Sequence, residues 1–340
     1  MIPVKGFPSK RLIGIPTKNY SRQQWINART IAARDAIGGS EIGTLLKLDN
    51  RFNSTIRLFY QRLGLWPDNY QDNKYAFSGR LLEETIIGLW RHWAGDWEST
   101  MVAFENGQRS RKSQHSRYIL KNQDYPTLLA NIDSKIIFSP DSPIGGGILE
   151  CKTISGHAAD RFELRVPPKH IAQVQAYLLV TGYEYGEIAM LESGVEFFVY
   201  PIAANTTIQN KIVEVSEDFF KRVNSARKAM AGYDTFEEQV FAVQEYEPPV
   251  EDGDDEYQFL SEKAKRLSMD GDFEPDEQVK LWFEHAMDFA DREKECAERK
   301  LYNQNQIRQE MTAKGRYRYS WPEGVITNGT RFSLKRRKPK

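Results

Sequence analysis

The chain has 340 residues, 40% of them apolar, with 47 basic and 47 acidic side chains and therefore no net charge. That length and apolar content support one core of about 200 residues plus an extension, and the neutral balance confines any nucleic-acid affinity to a local basic face. Two distant cysteines, Cys151 and Cys296, five histidines without an H-x-x-x-H pair, and no uninterrupted apolar run near 18 residues argue against a disulfide framework, a zinc site and a membrane span. The start MIPVKGFPSKRLIG lacks the apolar stretch of an export signal, so a reducing cytosol is expected.

Residues 1–24 read as a basic, proline-containing arm. From 25 to 66 the pattern is helical around Trp25, and Ser40, after Gly38-Gly39, suits the N-cap of a helix from Glu41 to Leu48. Residues 79–93 repeat apolar side chains at Leu82, Ile86, Leu89, Trp90 and Trp93, which predicts a helix starting at Gly79 with Glu83 and Glu84 in its first turn. Acids there serve the helix dipole as readily as chemistry. Basic side chains follow at Arg109, Arg111, Lys112, Arg117 and Lys121.

Between 100 and 200 the pattern turns to strands around a helix from Pro168 to Thr181, with a hairpin joining Glu187–Leu191 to Val195–Pro201 through Glu192-Ser193-Gly194. A helix from Ser216 to Gly232 closes a core spanning 25–244. Seven acids and two prolines within 245–256 predict an extended linker. Residues 257–340 then form a smaller α+β module: a charged helix or helical pair over 275–313, a β hairpin around Asn328-Gly329, and a basic tail from Lys335 to Lys340. The order of elements predicts an α/β core with a mixed central β-sheet flanked by helices.

One constellation carries chemistry. Asp133 ends an apolar run, and Glu150-Cys151-Lys152 lies in a second run beyond the turn-forming stretch 139–147, so two antiparallel strands bring Asp133 beside Glu150. Residues two apart on a strand share a face, which puts Glu150 and Lys152 together. Two carboxylates and the Cys151 carbonyl are hard oxygen donors suited to Mg²⁺ or Mn²⁺, and Lys152 can steady an attacking water or the charge on phosphorus. An isolated E-x-K is ordinarily a surface ion pair; flanking apolarity makes this one partly buried.

In order along the chain, Ile37 to Gly43 (IGGSEIG), Gly79 to Glu83, Asp133, Glu150-Cys151-Lys152 and Gln173-Val174-Gln175 resemble the motifs of the YqaJ-type viral recombinases. That group includes the phage lambda-type exonucleases of the PD-(D/E)xK nuclease class. The resemblance implies a restriction-endonuclease-like core and a metal-dependent 5′ to 3′ double-strand DNA exonuclease that releases 5′-mononucleotides and leaves 3′ single-strand tails. An endonuclease or single-strand nuclease of the same class, or a non-catalytic end-binding factor, are the alternatives.

It further implies Asp133, Glu150 and Glu83 as metal ligands, Lys152 as the water-positioning group and Gln173 as the orienting glutamine. Arg34, Ser40 and Arg51 would hold the 5′-phosphate, as the glycines, the cap position and the bidentate reach of arginine also allow. Expected partners are duplex DNA ends, a single-strand annealing protein and further copies of the chain in a homo-oligomer, in a phage-infected or lysogenic bacterial cytoplasm.

Overall fold

The computed structural model describes residues 1–48, 53–67, 74–138, 145–154, 166–267, 277–314, 318–321, 324–328 and 332–336. Met1–Ser268 and Met269–Lys340 are two compact units. In the first, the expected mixed sheet comes as two five-stranded sheets. One runs β1 (Ile2–Pro3), β2 (Leu12–Pro16), β5 (Tyr118–Asn122), β6 (Tyr125–Ala130), β3 (Ile37–Gly38). The other runs β10 (Glu196–Ala203), β9 (Tyr185–Glu192), β8 (Gly147–Ile154), β7 (Ser134–Ile137), β4 (Lys112–His115). Each has one parallel pair, β3 with β6 and β8 with β9; the rest are antiparallel.

Side-chain alternation explains why β8 lies between two helices. Ile148 joins Ile188, Met190 and Val174 in the main core, on the side of α6 (Pro168–Thr181). Leu149 packs instead with Ala189, Leu191 and Ile86, Ile87 and Trp90 of α4 (Lys74–His92). A period of two therefore sends Glu150 and Lys152 to the α6 side. The turn between β9 and β10 has positive φ at both Ser193 (52°) and Gly194 (78°), which matches the twist of a two-residue hairpin.

Four expectations change. The N-terminal arm is not separate: Leu12 is buried in the core and β2 pairs with β5 along five residues. The helix expected from Gly79 begins at Lys74, because Gly79 faces open space and a lone glycine costs a helix only about 1 kcal/mol. Glu83 is thereby in the third turn, away from the dipole's positive end. The helix expected from Ser216 starts earlier, at Thr206, capped by Asn205.

The fourth change is the acidic linker, which packs onto the core. Asp255, at the start of α9 (Asp254–Arg266), takes the Arg57 guanidinium at 2.9 Å, Glu251 accepts from the Thr55 hydroxyl, and Glu247 binds both Tyr60 and Lys263. Phe259 is fully buried between Tyr60 and Trp66, with ring centroids 5.2 and 5.0 Å away. The acids are dense there because cations of this unit face them. A chain ending at 268 should accordingly unfold like the parent, whereas one ending at 245 should lose at least the ~3–5 kcal/mol that a buried Phe contributes. Urea titration checks both; equal midpoints would mean that α9 does not stabilise the core.

The second unit holds α10 (Glu277–Ala313), close to the expected span, and an antiparallel sheet of β11 (Arg318–Trp321), β12 (Gly324–Asn328) and β13 (Phe332–Arg336) in place of a two-stranded hairpin. Among the described residues no helix is long and apolar enough to cross a membrane.

Candidate active site

The chain leaves the first sheet at Ala130 and enters the second at Ser134, so Asp133 sits where the two meet. Ser134 pairs with Leu149, which sets Asp133 beside the middle of β8. The Cys151 N–H donates to Asp133 Oδ2 at 2.7 Å. Glu150, 2% exposed, accepts at Oε1 from Lys152 Nζ and from Gln173 Nε2, each at 2.6 Å. Its Oε2 is buried with no hydrogen-bond partner among the described residues.

Glu83 and Glu84 separate clearly. Glu83 lines the same cleft as Asp133 and Glu150, whereas Glu84 is 74% exposed and faces His115 at 3.2 Å. Glu83→Gln should therefore suppress any cleavage by the cleft while Glu84→Gln leaves it near the parent rate. The reverse pattern in a duplex-cleavage assay would reverse the assignment.

The glutamines separate as well. Gln173 points at Glu150, and Gln175, two residues on and about 200° around the helix, ties the start of the next helix, donating to the Ala203 carbonyl and accepting from the Asn205 N–H. Gln173 also donates to the Tyr177 hydroxyl at 3.1 Å. The Tyr177 ring lies so close to the Gly39 backbone that a Cβ there would come within 2.2 Å of it, so only glycine fits.

Electrostatics bind these groups into one unit. Burial, then the Glu150 and Glu83 charges, pushes Asp133 well above the usual carboxylate range. Burial likewise raises Glu150, and burial with the Glu150 charge raises Glu83. Desolvation pulls Lys152 down, but Glu150 and Asp133 outweigh it and hold the ammonium above its ordinary value. Three carboxylates face one ammonium.

That excess, with Glu150 Oε2 buried and unpartnered among the described residues, fits a divalent cation. Among the described residues no three side chains of His, Cys, Asp or Glu stand in ligand array. Such an ion would rest on the Asp133–Glu150 pair, with other positions left to water, phosphate or the Cys151 carbonyl, as Mg²⁺ commonly does.

The cleft, of about 550 Å³, is also lined by Arg22, Trp25, Arg29, Ser40, Arg80, His115 and Asn131. Ser40 is exposed to it but is no N-cap: α2 (Gly39–Leu45) starts two residues before the expected Glu41, after Gly38, which is held extended in β3. Glu41 binds Arg62 at 2.7 Å and the Gly38 N–H at 2.8 Å, and lies 3.6 Å from Arg29. Arg34 does not line the cleft. It caps the C-terminus of α1 (Arg22–Ala33), exposed, its carbonyl accepting from Arg227. Five helical residues turn the chain about 140°, so Arg29 and Arg34 cannot face one site. Arg51 lies outside the described residues. Arg111 is engaged elsewhere, with Glu187 at 2.6 Å.

An acid at a strand entrance, an E-x-K on the antiparallel neighbour and a glutamine helix across a mixed sheet thus meet at one cleft. Residues 24–184 match the sequence profile of the YqaJ-like viral recombinase domain. The chain is 29% identical over 203 residues to the uncharacterized protein YqaJ of Bacillus subtilis, covering 59% of this chain and 56% of that one. It thus spans little more than half of that relative's length.

Among solved structures it is similar to LHK-Exo in complex with dAMP (14% identity, TM-score 0.43, 59% of this chain and 94% of that one). The alkaline exonuclease LHK-Exo from Laribacter hongkongensis (15%, 0.41, 71% and 100%) and a phage-related exonuclease from Haemophilus somnus (12%, 0.32, 67% and 96%) are similar too.

Proposed function

We propose that this chain is a Mg²⁺-dependent deoxyribonuclease, with Mn²⁺ an acceptable substitute, that degrades duplex DNA from its ends, 5′ to 3′, to 5′-mononucleotides, leaving 3′ single-strand tails for phage-type recombination. The observation that carries the reading is the Glu150 carboxylate, one oxygen buried without a partner among the described residues and the other bonded to Lys152, on a cleft it shares with Asp133 and Glu83. A partly buried carboxylate cluster is costly to a mere DNA-binding surface and useful to a hydrolase. Polarity follows the lambda-type resemblance of the motifs, as do the single-strand annealing protein as partner and a homo-oligomeric assembly.

Asp133 and Glu150 would hold the cation, with Glu83 on the same cleft close enough to act through a water, and the cation would supply Lewis acidity toward water and the phosphoryl oxygens. Lys152, kept cationic by its neighbours, hydrogen-bonds the incoming water and opposes the charge that grows on phosphorus. Gln173 fixes one Glu150 oxygen and leaves the other without a partner among the described residues, and Tyr177 holds Gln173. Ser40 with Arg29 and Arg80 replaces the Ser40–Arg34 pairing as the set able to meet a terminal phosphate.

Blunt duplex labelled at either 5′ or 3′ ends, incubated with Mg²⁺ and with chelator, tests the reading. Release of the 5′ label as mononucleotide, abolished by chelator, is expected. Cleavage of closed circular duplex would replace it with an endonuclease, and no cleavage under any divalent cation with a non-catalytic factor.

A further inference from the structure

A second groove, of about 610 Å³, opens beside the carboxylate cleft, and His115, Ser116 and Tyr118 line both. Lys5, Lys18, Arg91, Arg117 and Lys135 converge on it from four separate stretches of chain. Among the described residues no Asp or Glu lines it. In a chain of zero net charge that is a marked local excess.

The cations are not consumed by structure. Among the described residues Lys5, Lys18, Arg117 and Lys135 form no ion pair, and Lys5, Lys18 and Arg117 are exposed. Arg91 is partly engaged, donating to the Ser113 hydroxyl at 3.1 Å and its carbonyl at 3.4 Å. Glu84, at the boundary, is taken up by His115. Mutual repulsion among unneutralised cations is unfavourable unless an anionic ligand joins them.

Aromatic rings are interleaved with the charges. Phe7 is pinned against Tyr183, centroids 5.8 Å apart, with Lys135 Nζ 4.9 Å from its centroid, and Tyr118 stands at the junction with the carboxylate cleft. Cations that follow a phosphate chain beside aromatic rings are the mark of single-strand binding. The volume is that of a small-ligand pocket, enough for a short run of one strand. Lys5, Phe7 and Lys18 precede the stretch that matches the family.

We infer that this groove binds the sugar-phosphate backbone of a single DNA strand adjoining the carboxylate cleft. The inference rests on the nuclease reading for its choice of DNA and deepens it: the strand is separated beside the place where it, or its complement, is hydrolysed. Lys5, Lys18 and Arg117 contact phosphates, and Tyr118 meets the base nearest the cleft.

The test measures binding of the full chain to a fluorescein-labelled oligothymidylate by anisotropy, in chelator so that nothing is cleaved, across a salt series. Lys5→Ala/Lys18→Ala/Arg117→Ala together should weaken binding about tenfold or more at low salt and make the plot of log K against log salt shallower by about 2, from ~0.7 per lost phosphate contact. Lys18→Glu/Arg117→Glu should weaken it further. All these positions are exposed and outside the core, so an unchanged melting curve accompanies the loss. A duplex with a 3′ tail should be affected and a blunt duplex should not.

Unchanged affinity and slope overturn the inference, and so does equal loss on tailed and blunt duplexes. Because binding is read without catalysis, this result is separate from the cleavage assay. A parent protein that never cleaves, with variants that lose single-strand affinity, would overturn the nuclease reading and leave the groove standing.

Discussion

Glu150→Gln and Lys152→Ala should each reduce cleavage of end-labelled duplex to below about 1% of the parent, the scale of removing a group that acts on the transition state. Binding of the same duplex in chelator should change little, because neither side chain is needed to hold the ground state. The two substitutions act differently. Gln at 150 keeps the hydrogen-bonding shape that Gln173 and Lys152 recognise but gives up the charge that faces the cation. Ala at 152 keeps the carboxylates and removes the ammonium bonded to Glu150. Asp133→Asn should follow Glu150→Gln and also require more Mg²⁺ for whatever activity remains. Full activity in Lys152→Ala would remove the lysine from the chemistry.

Trp90→Ala should cost about 3–5 kcal/mol of folding stability, seen as a lower urea midpoint at unchanged slope. Trp90 is 1% exposed and anchors α4 to the second sheet through Leu149, Ala189 and Leu191. Its indole N–H donates to Glu187 at 2.5 Å, and Arg111, which binds the same carboxylate, lies over its ring at 5.3 Å. Truncation removes the largest fully buried side chain among the described residues and leaves buried Glu187 with two partners in place of three. Glu83 lies seven residues earlier on the same helix, so the variant should also lose cleavage at temperatures where it is still folded. A variant as stable as the parent would mean that α4 is held from elsewhere.

The strands around Asp133 and Glu150, the α6 helix and the β9–β10 hairpin were legible because local rules govern them: period-two alternation, a proline at a helix start, a serine-glycine turn. The carboxylates and Lys152 were legible for a related reason, since charges inside apolar runs need an explanation that surface charges do not. What escaped depends on contacts distant in sequence. The acids of 245–256 look like solvated linker until Arg57, Tyr60 and Lys263 are seen to face them.

The N-terminal arm reads as polar because its pairing partner, β5, lies about 105 residues on. Arg34 stood nearer to Ser40 in sequence, yet the face that matters carries Arg22, Trp25 and Arg29, spaced i, i+3 and i+7 along α1. That spacing was a visible signal. Tyr177 needed the structure, since only the close approach of its ring to Gly39 reveals it as the support of Gln173.

The convergence of Glu83, Asp133 and Glu150 has a consequence for anyone who evolves this protein. Three mutually repelling acids in a poorly hydrated place are a standing burden on the fold. Sorting a random library for heat resistance alone, with no demand for cleavage, would enrich neutral residues at these three positions early and return sturdy, inert proteins. Any thermostabilisation campaign must therefore screen for turnover at every round, and stabilising changes are better sought in the second unit and on the exposed faces away from both clefts.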